Sequence, residues 1–367
     1  MKKIVLAAAL AAACSWQPVI ADDGADDDSN SVVTFAVFGD WPYNDLLLQN
    51  ANLLVDSVNA DRKVQFVLHV GDIHSGSQPC TSAGILPPIP SSNPGWNQAV
   101  FQRFQQFEAP FVYTPGDNEW TDCHKAKEKG SGAPMSELAA VGGLFFSRPG
   151  VSLGLNEMDV ATQALHFDSG FPSDGKFVEN VMWRNGRTMF VTVNMPGSNN
   201  DTLPWSAPFT DNAAQGKEVV ERTGAAMRWL DAAFAQAQRG GVRVLVIGLQ
   251  ADMWDPAALV AGGDGLSAYT PFVQHLAELA NRFDGSVILF NGDSHLYEAD
   301  HPLADRSSAT GRIHGTPAVP NLTRITVQGS TNAPAEWLRV TIDARKKVPT
   351  VTWTNVAYCK DPLTSCQ

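Results

Sequence analysis

Four apolar runs in this chain end on a Gly-Asp pair. Ala36-Val37-Phe38 leads into Gly39-Asp40-Trp41, and Phe66-Val67-Leu68-His69-Val70 leads into Gly71-Asp72-Ile73-His74. Phe111-Val112-Tyr113-Thr114 leads into Pro115-Gly116-Asp117-Asn118-Glu119, and Ser286-Val287-Ile288-Leu289-Phe290 into Asn291-Gly292-Asp293-Ser294-His295. Each run reads as a buried strand and each glycine as part of the turn that ends it. Ligands of α/β sheets bind just beyond the carboxyl ends of strands. Four strands of this form would gather four carboxylates in one crevice. Carboxylates held close together and away from water repel and take up protons unless a cation lies among them. Two of the four aspartates are followed two residues later by an imidazole, His74 and His295. The chemistry to expect is a metal centre.

The elements that must position these residues are legible in outline. A strand over 32–38, a helix over 45–60 striped by Leu46, Leu47, Leu53, Leu54 and Val58, and a strand over 64–70 form a βαβ unit. Residues 75–95 are rich in Ser, Pro and Gly; a wall of the site and a surface insertion both suit so long a loop. A helix over 97–107 buries Val100, Phe101, Phe104 and Phe107, and another is expected over 136–141. Short β segments follow at 164–167, 179–183 and 188–194, the last two joined as a hairpin through Arg184-Asn185-Gly186-Arg187. The helix over 217–239 has an apolar face of Val219, Val220, Met227, Trp229, Leu230 and Phe234, and Gly240-Gly241 stops it. A strand over 242–249 ends on Gln250-Ala251-Asp252, and a helix over 271–283 carries His275 as a packing or surface residue. Strands over 322–328, 337–342 and 348–353 close the fold. With no repeat and no internal linker, residues 32–357 read as one domain, followed by a tail, 358–367.

The 367 residues are 44% hydrophobic and carry a formal net charge of -12. That balance argues against nucleic acid bound on a basic face and against an anionic membrane as partner. Phosphate can still bind where metal ions supply positive charge. Lys2 and Lys3, the apolar run 4–13 and Val19-Ile20-Ala21 make residues 1–21 a signal peptide. The apolar run is too short for a permanent span, so a periplasmic or secreted chain with no transmembrane segment is expected. A lipid anchor at Cys14 is the second option; Ala11-Ala12-Ala13 lack the large aliphatic residue such sites carry. Residues 22–31 are an acidic, disordered leader. Cys80, Cys123, Cys359 and Cys366 then remain, and export favours two disulfides. Of three pairings, Cys80–Cys123 with Cys359–Cys366 is preferred, because the last two are near neighbours in the tail. Nothing here bears on oligomeric state.

Taken in order, the Gly-Asp pairs, the strand ending in Gln250 and the phrase Gly292-Asp293-Ser294-His295-Leu296-Tyr297-Glu298 resemble the calcineurin-like metallophosphoesterase superfamily, which includes the purple acid phosphatases. The resemblance spans about residues 32–300. It implies an α/β fold, a four-layer αββα sandwich of the metallophosphoesterase type, with the site at the strand ends. It also implies metal-dependent hydrolysis of a phosphomonoester or phosphodiester by a metal-activated water, on a small phosphorylated substrate. Several motif positions differ. Asp40-Trp41-Pro42 lacks the histidine of the first motif, and Gly116-Asp117-Asn118-Glu119 stands for Gly-Asn-His-Glu/Asp. Gln250 takes the place of a histidine, and Gly292-Asp293-Ser294-His295 that of Gly-His-x-His.

Carried over by position, one ion would see Asp40, Asp72 and His295. A second would see Asp72, Asp117 or Asn118, Gln250 and Asp293. Asn118 and His295 fall at the catalytic positions. The second set is all oxygen, which suits Mg²⁺, Mn²⁺ or Ca²⁺ over Zn²⁺ or iron. Ser75 stands three residues after Asp72, where purple acid phosphatases have their iron-binding tyrosine, so no iron–tyrosinate chromophore is expected. His74 and His124 stay outside the set. The alternative reading is a catalytically impaired relative that binds a metal, a phosphorylated ligand or a partner.

Overall fold

The apolar runs form strands buried on both faces. The computed structural model describes residues 31–80, 95–128, 130 and 132–367. The expected signal peptide, Cys14, the expected leader up to residue 30 and most of the Ser/Pro/Gly-rich segment lie outside the described residues. In the first sheet β1 (Val32–Phe38), β2 (Val64–His69) and β3 (Phe111–Tyr113) run parallel. In the second, β6 (Thr188–Thr192), β7 (Val244–Gly248), β8 (Ser286–Asn291) and β10 (Leu322–Thr326) run parallel. Antiparallel strands flank each core. β11 (Ala335–Asp343) and β12 (Thr350–Cys359) extend the first sheet, in the order β12-β11-β1-β2-β3. β4 (Ala161–Thr162), β5 (Val181–Asn185) and β9 (Glu298–Asp300) complete the second, in the order β4-β5-β6-β7-β8-β10-β9.

The layering follows from what each face buries. Phe35, Phe66 and Leu68 of the first sheet pack against Phe190, Val246 and Phe290 of the second. Parallel strands covered on both sides need apolar residues at successive positions, hence the unbroken runs. The outer face of the second sheet is covered by α6 (Asn212–Arg239) and α7 (Thr270–Arg282) through Trp229, Leu230, Phe234, Phe272 and Leu276. The outer face of the first is covered by α2 (Ala51–Ala60), α3 (Trp96–Phe104) and α4 (Pro134–Phe145) through Leu54, Val58, Val100, Phe104 and Phe145. Three short segments, α1 (Asp45–Gln49), α5 (Gly197–Asp201), in which residues 198–201 form a left-handed turn, and α8 (Ala309–Ile313), lie between these elements in sequence. The result is an α/β sandwich.

Several expectations need correction. The helix over 45–60 is two helices broken at Asn50, whose backbone N–H and side-chain amide both bond the Leu46 carbonyl, at 3.0 and 2.8 Å, and close the first helix. The β segment at 164–167 is a 3₁₀ turn, Gln163–Leu165, and the strand lies just before it at Ala161–Thr162. The buried Gln163 amide explains this: it accepts from Asn180 Nδ2 at 2.7 Å and donates to the Ala225 carbonyl at 2.9 Å. On α6, Val220 is 73% exposed and plays no part in the buried face. β12 runs to Cys359, further than the 348–353 expected, because it pairs with β11 as far as Ala335. Cys80–Cys123 and Cys359–Cys366 are both disulfides. No helix among the described residues is long and apolar enough to cross a membrane.

Candidate metal centre

Three of the four strand-end turns hold their aspartates in an unusual backbone conformation, Asp117 being the exception. Asp40, Asp72, Asp293 and His295 have φ of 49°, 61°, 75° and 63°. Aspartate tolerates this left-handed region better than most residues, but each instance costs about 1–3 kcal/mol and clusters of them mark functional sites. Two turns are tied directly, with Asp40 N donating to Gly71 O and Trp41 N to Asp72 O, both at 2.9 Å. His69 joins the same turns from inside β2. Its Nε2 is 3.1 Å from the Trp41 carbonyl, and its Nδ1 accepts from Gly71 N at 3.1 Å. Burial drops this imidazole to about 4, so the ring is neutral and Nε2 carries the proton. Glu119 clamps the third turn, where Oε1 accepts from Tyr113 Oη at 2.6 Å, Gly116 N at 2.7 Å and Asp72 N at 3.2 Å.

The glycines before the aspartates serve a second purpose. A Cβ on Gly116 would collide with Asp72 Oδ1, and one on Gly292 would lie 2.5 Å from Asp40 Oδ2. Each glycine makes room for a carboxylate delivered by another strand.

Ligand atoms of Asp40, Asp72 and His295 all lie within 4.8 Å of one another. Both aspartates are buried, whereas the His295 side chain is 37% exposed. Among these three stands a group that the sequence reading missed. Tyr43 Oη is 3.0 Å from Asp40 Oδ1, 2.8 Å from Asp72 Oδ2 and 3.1 Å from His295 Nε2. Burial, then Asp40 and Asp72, raise this phenol well above its ordinary range and keep it protonated. Asn118 Nδ2 reaches Asp72 Oδ2 at 3.0 Å, and Tyr43 Oη and the His74 carbonyl at 3.1 Å each.

Asp117, Gln250 and Asp293 adjoin this group. Gln250 Nε2 donates to Asp72 Oδ2 at 3.2 Å and Asp117 Oδ1 at 3.1 Å, while its Oε1 accepts from Gly197 N. In this arrangement Gln250 offers the carboxylates an N–H, whereas the sequence reading had assigned it an oxygen for an ion. Asp117 Oδ2 and Asp293 Oδ1 both lie within 2.7 Å of where a Cβ on Gly197 would stand. Asp293 N donates to Asp40 Oδ1 at 3.2 Å, and Asp293 Oδ2 accepts from Asp252 N at 3.0 Å. All seven residues expected from the sequence therefore meet in one place.

The electrostatics fit a cation at Asp40, Asp72 and His295. Burial, then Asp117 and other neighbouring carboxylates, push Asp72 well above the usual range, and Asp293 is raised for the same reasons. Burial works against the charged form of His295, but Asp40 outweighs it and the imidazole is raised. Asp40 Oδ2 is buried without a hydrogen-bond partner among the described residues. An acceptor left over in a buried, acid-rich cluster is what a bound cation would satisfy.

His74 and His124 do not join the donor set. His74 Nδ1 faces the Ser75 carbonyl at 3.1 Å, and burial drops its ring to about 4. His124 Nδ1 accepts from Ser206 N at 2.8 Å, away from the centre. Tyr43 had a sequence signal: it stands three residues after Asp40, the spacing that was sought after Asp72 and met Ser75.

No family model matches this chain, and no curated protein matches its sequence. One solved structure, described as GAP50, the anchor in the inner membrane complex of Plasmodium, is 11% identical with a TM-score of 0.47. The superposition covers 89% of this chain and 85% of that one. Likeness of that degree says nothing of activity.

Proposed function

We propose that this protein is an exported, metal-dependent phosphoesterase of the metallophosphoesterase type, acting on a small phosphorylated substrate. The observation that carries the reading is the convergence of Asp40, Asp72 and His295 within 4.8 Å beyond the strand ends. These residues would hold a divalent cation, and the Tyr43 hydroxyl lies within reach of the same point. Mg²⁺, Mn²⁺ and Ca²⁺ remain the favoured ions, with Asp117 and Asp293 the carboxylates nearest to any second one. A cation bound there would polarise a water for attack and offset charge on the phosphoryl oxygens. The chain's own residues do the rest. Asn118 directs an amide N–H to Asp72 and fixes its orientation; it has no proton to give a leaving alkoxide. His295 turns Nε2 towards Asp40 and Tyr43, so as a ligand it would be neutral and have no proton to exchange through that atom.

A second reading has its own observation. Tyr43, Asn118 and Gln250 already direct O–H and N–H groups at the carboxylates. Donors so placed favour an impaired relative that binds a cation or phosphorylated ligand without turnover. Calorimetry with each ion, beside an aryl-phosphate assay, separates the two. For the enzyme, we expect ion uptake and turnover in the full chain, with both lost in Asp72→Ala. Uptake without turnover of any mono- or diester selects the second reading, and no uptake at all rejects the enzyme and the cation-binding form of the second reading.

A further inference from the structure

A cleft of about 270 Å³ opens beside the centre, lined by Asp117, Asp293, Ser198 and Lys127 among others. Its charge is not uniformly negative. Asp122, fully buried, sits between two ammonium groups, Lys125 at 2.8 Å and Lys127 at 3.0 Å. Lys125 also faces Asp264 Oδ2 at 3.8 Å, so two ammonium groups meet two carboxylates on that wall. Lys125 is committed inward, since its Nζ also donates to Ser198 Oγ at 2.7 Å, and Ser198 Oγ reaches Asp117 Oδ2 at 2.8 Å. Lys127 is not so committed, and its side chain is 51% exposed.

The placement of Lys127 is specific. A Cβ on Gly76 would meet Asn118 Oδ1 at 2.6 Å and Lys127 Nζ at 2.8 Å, so the ammonium and the Asn118 amide oxygen both lie against Gly76. Lys127 is close enough to Asp117, His74 and His295 to act on the charge of each. The segment is anchored next door by the Cys80–Cys123 disulfide.

We propose that Lys127 is the phosphate-binding residue of this site, its ammonium taking a non-bridging phosphoryl oxygen beside Asn118 while Asp40, Asp72 and His295 hold the cation. The inference rests on the phosphoesterase reading and names the group that supplies positive charge where Asn118 has none to offer. The role is that of a fixed charge, because Asp122 and Asp117 hold the ammonium in its charged form. Lysine serves phosphate as a compact point charge with rotatable donors, which suits a half-exposed position on a short loop.

The test is calorimetric titration of the full chain, saturated with Mn²⁺, with inorganic phosphate. Lys127→Gln should weaken phosphate about 10- to 100-fold, the loss of one charge-assisted contact, and Lys127→Arg should recover most of it. Mn²⁺ affinity without phosphate should change less than about threefold, which separates ligand contact from loss of the Asp122 pair. Phosphate affinity unchanged in Lys127→Gln overturns the inference alone, provided the wild type hydrolyses phosphoesters. Mn²⁺ affinity falling in step with phosphate also overturns it, by showing a structural role. A wild type that takes up Mn²⁺ but neither binds phosphate nor turns over a phosphoester overturns the functional reading and this inference together.

Discussion

Two carboxylates meet on one phenol at the heart of this protein. Tyr43 has a single proton and stands within 3.0 Å of both Asp40 Oδ1 and Asp72 Oδ2. It can satisfy one at a time, and the other relies on its remaining donors. Among side-chain donors, Asp72 has Asn118 and Gln250 besides; Asp40 has His295 at 3.4 Å, and its Oδ2 goes unpartnered among the described residues. Removing the hydroxyl should therefore be felt most when no cation is bound. Tyr43→Phe is expected to destabilise the protein by about 1–3 kcal/mol in EDTA, the cost of buried acceptors left without a donor. Urea denaturation measures this. Equal stability of the two proteins in EDTA would show that the hydroxyl bears none of the load assigned to it.

At the scale of the element, the Gly-Asp turn has two jobs that the sequence shows as one. The aspartate of one strand fills the space above the glycine of another in two cases, Asp72 of β2 over Gly116 of β3 and Asp40 of β1 over Gly292 of β8. Gly116→Ala should drive a methyl group into Asp72 Oδ1. The expected result is a loss of about 1–3 kcal/mol together with weakened ion uptake. Gly143→Ala supplies the contrast. That glycine lies within α4, where a Cβ would meet nothing within 4 Å. The same substitution there should stabilise by about 0.5–1 kcal/mol through helix propensity and leave ion uptake unchanged. If thermal denaturation and calorimetry show the same response at both sites, the interlocking account fails.

For the molecule as a whole, buried acids set how stability varies with pH. Burial, then Asp122, push Glu128 up to about 10, and burial pushes Asp201 and Glu119 up to about 7. In each case the folded state holds a proton that the unfolded chain has released. Such groups cost nothing below the unfolded pKa, and stability then falls as pH rises towards the folded value. For Glu128 that window runs from near 4.5 to about 10, with a slope of about 1.4 kcal/mol per pH unit. Glu128→Gln should match the wild type near pH 4 and gain on it steadily up to pH 9. Denaturation midpoints across that range decide the matter, and parallel curves would refute it.

What was legible in the sequence is what repeats locally. Unbroken apolar runs marked the parallel strands, since a strand covered on both faces must be apolar at successive positions, and Gly-Asp marked their ends. Asp40, Asp72, Asp117 and Asp293 could be named that way; Asn118 and Gln250 entered through the family resemblance, and the disulfide pairing through the nearness of Cys359 and Cys366. Local spacing could not foretell where helix 45–60 would break, because the break is a cap at Asn50 and leaves the apolar stripe unchanged. Nor could it place His69 or Lys127, whose significance lies in contacts with residues distant in the chain. Tertiary structure alone decided which atom each polar side chain offers: Gln250 turns its N–H to the carboxylates because the Gly197 N–H claims its oxygen. Composition and periodicity record what is buried, whereas the direction of a hydrogen bond is settled only when both partners are in place.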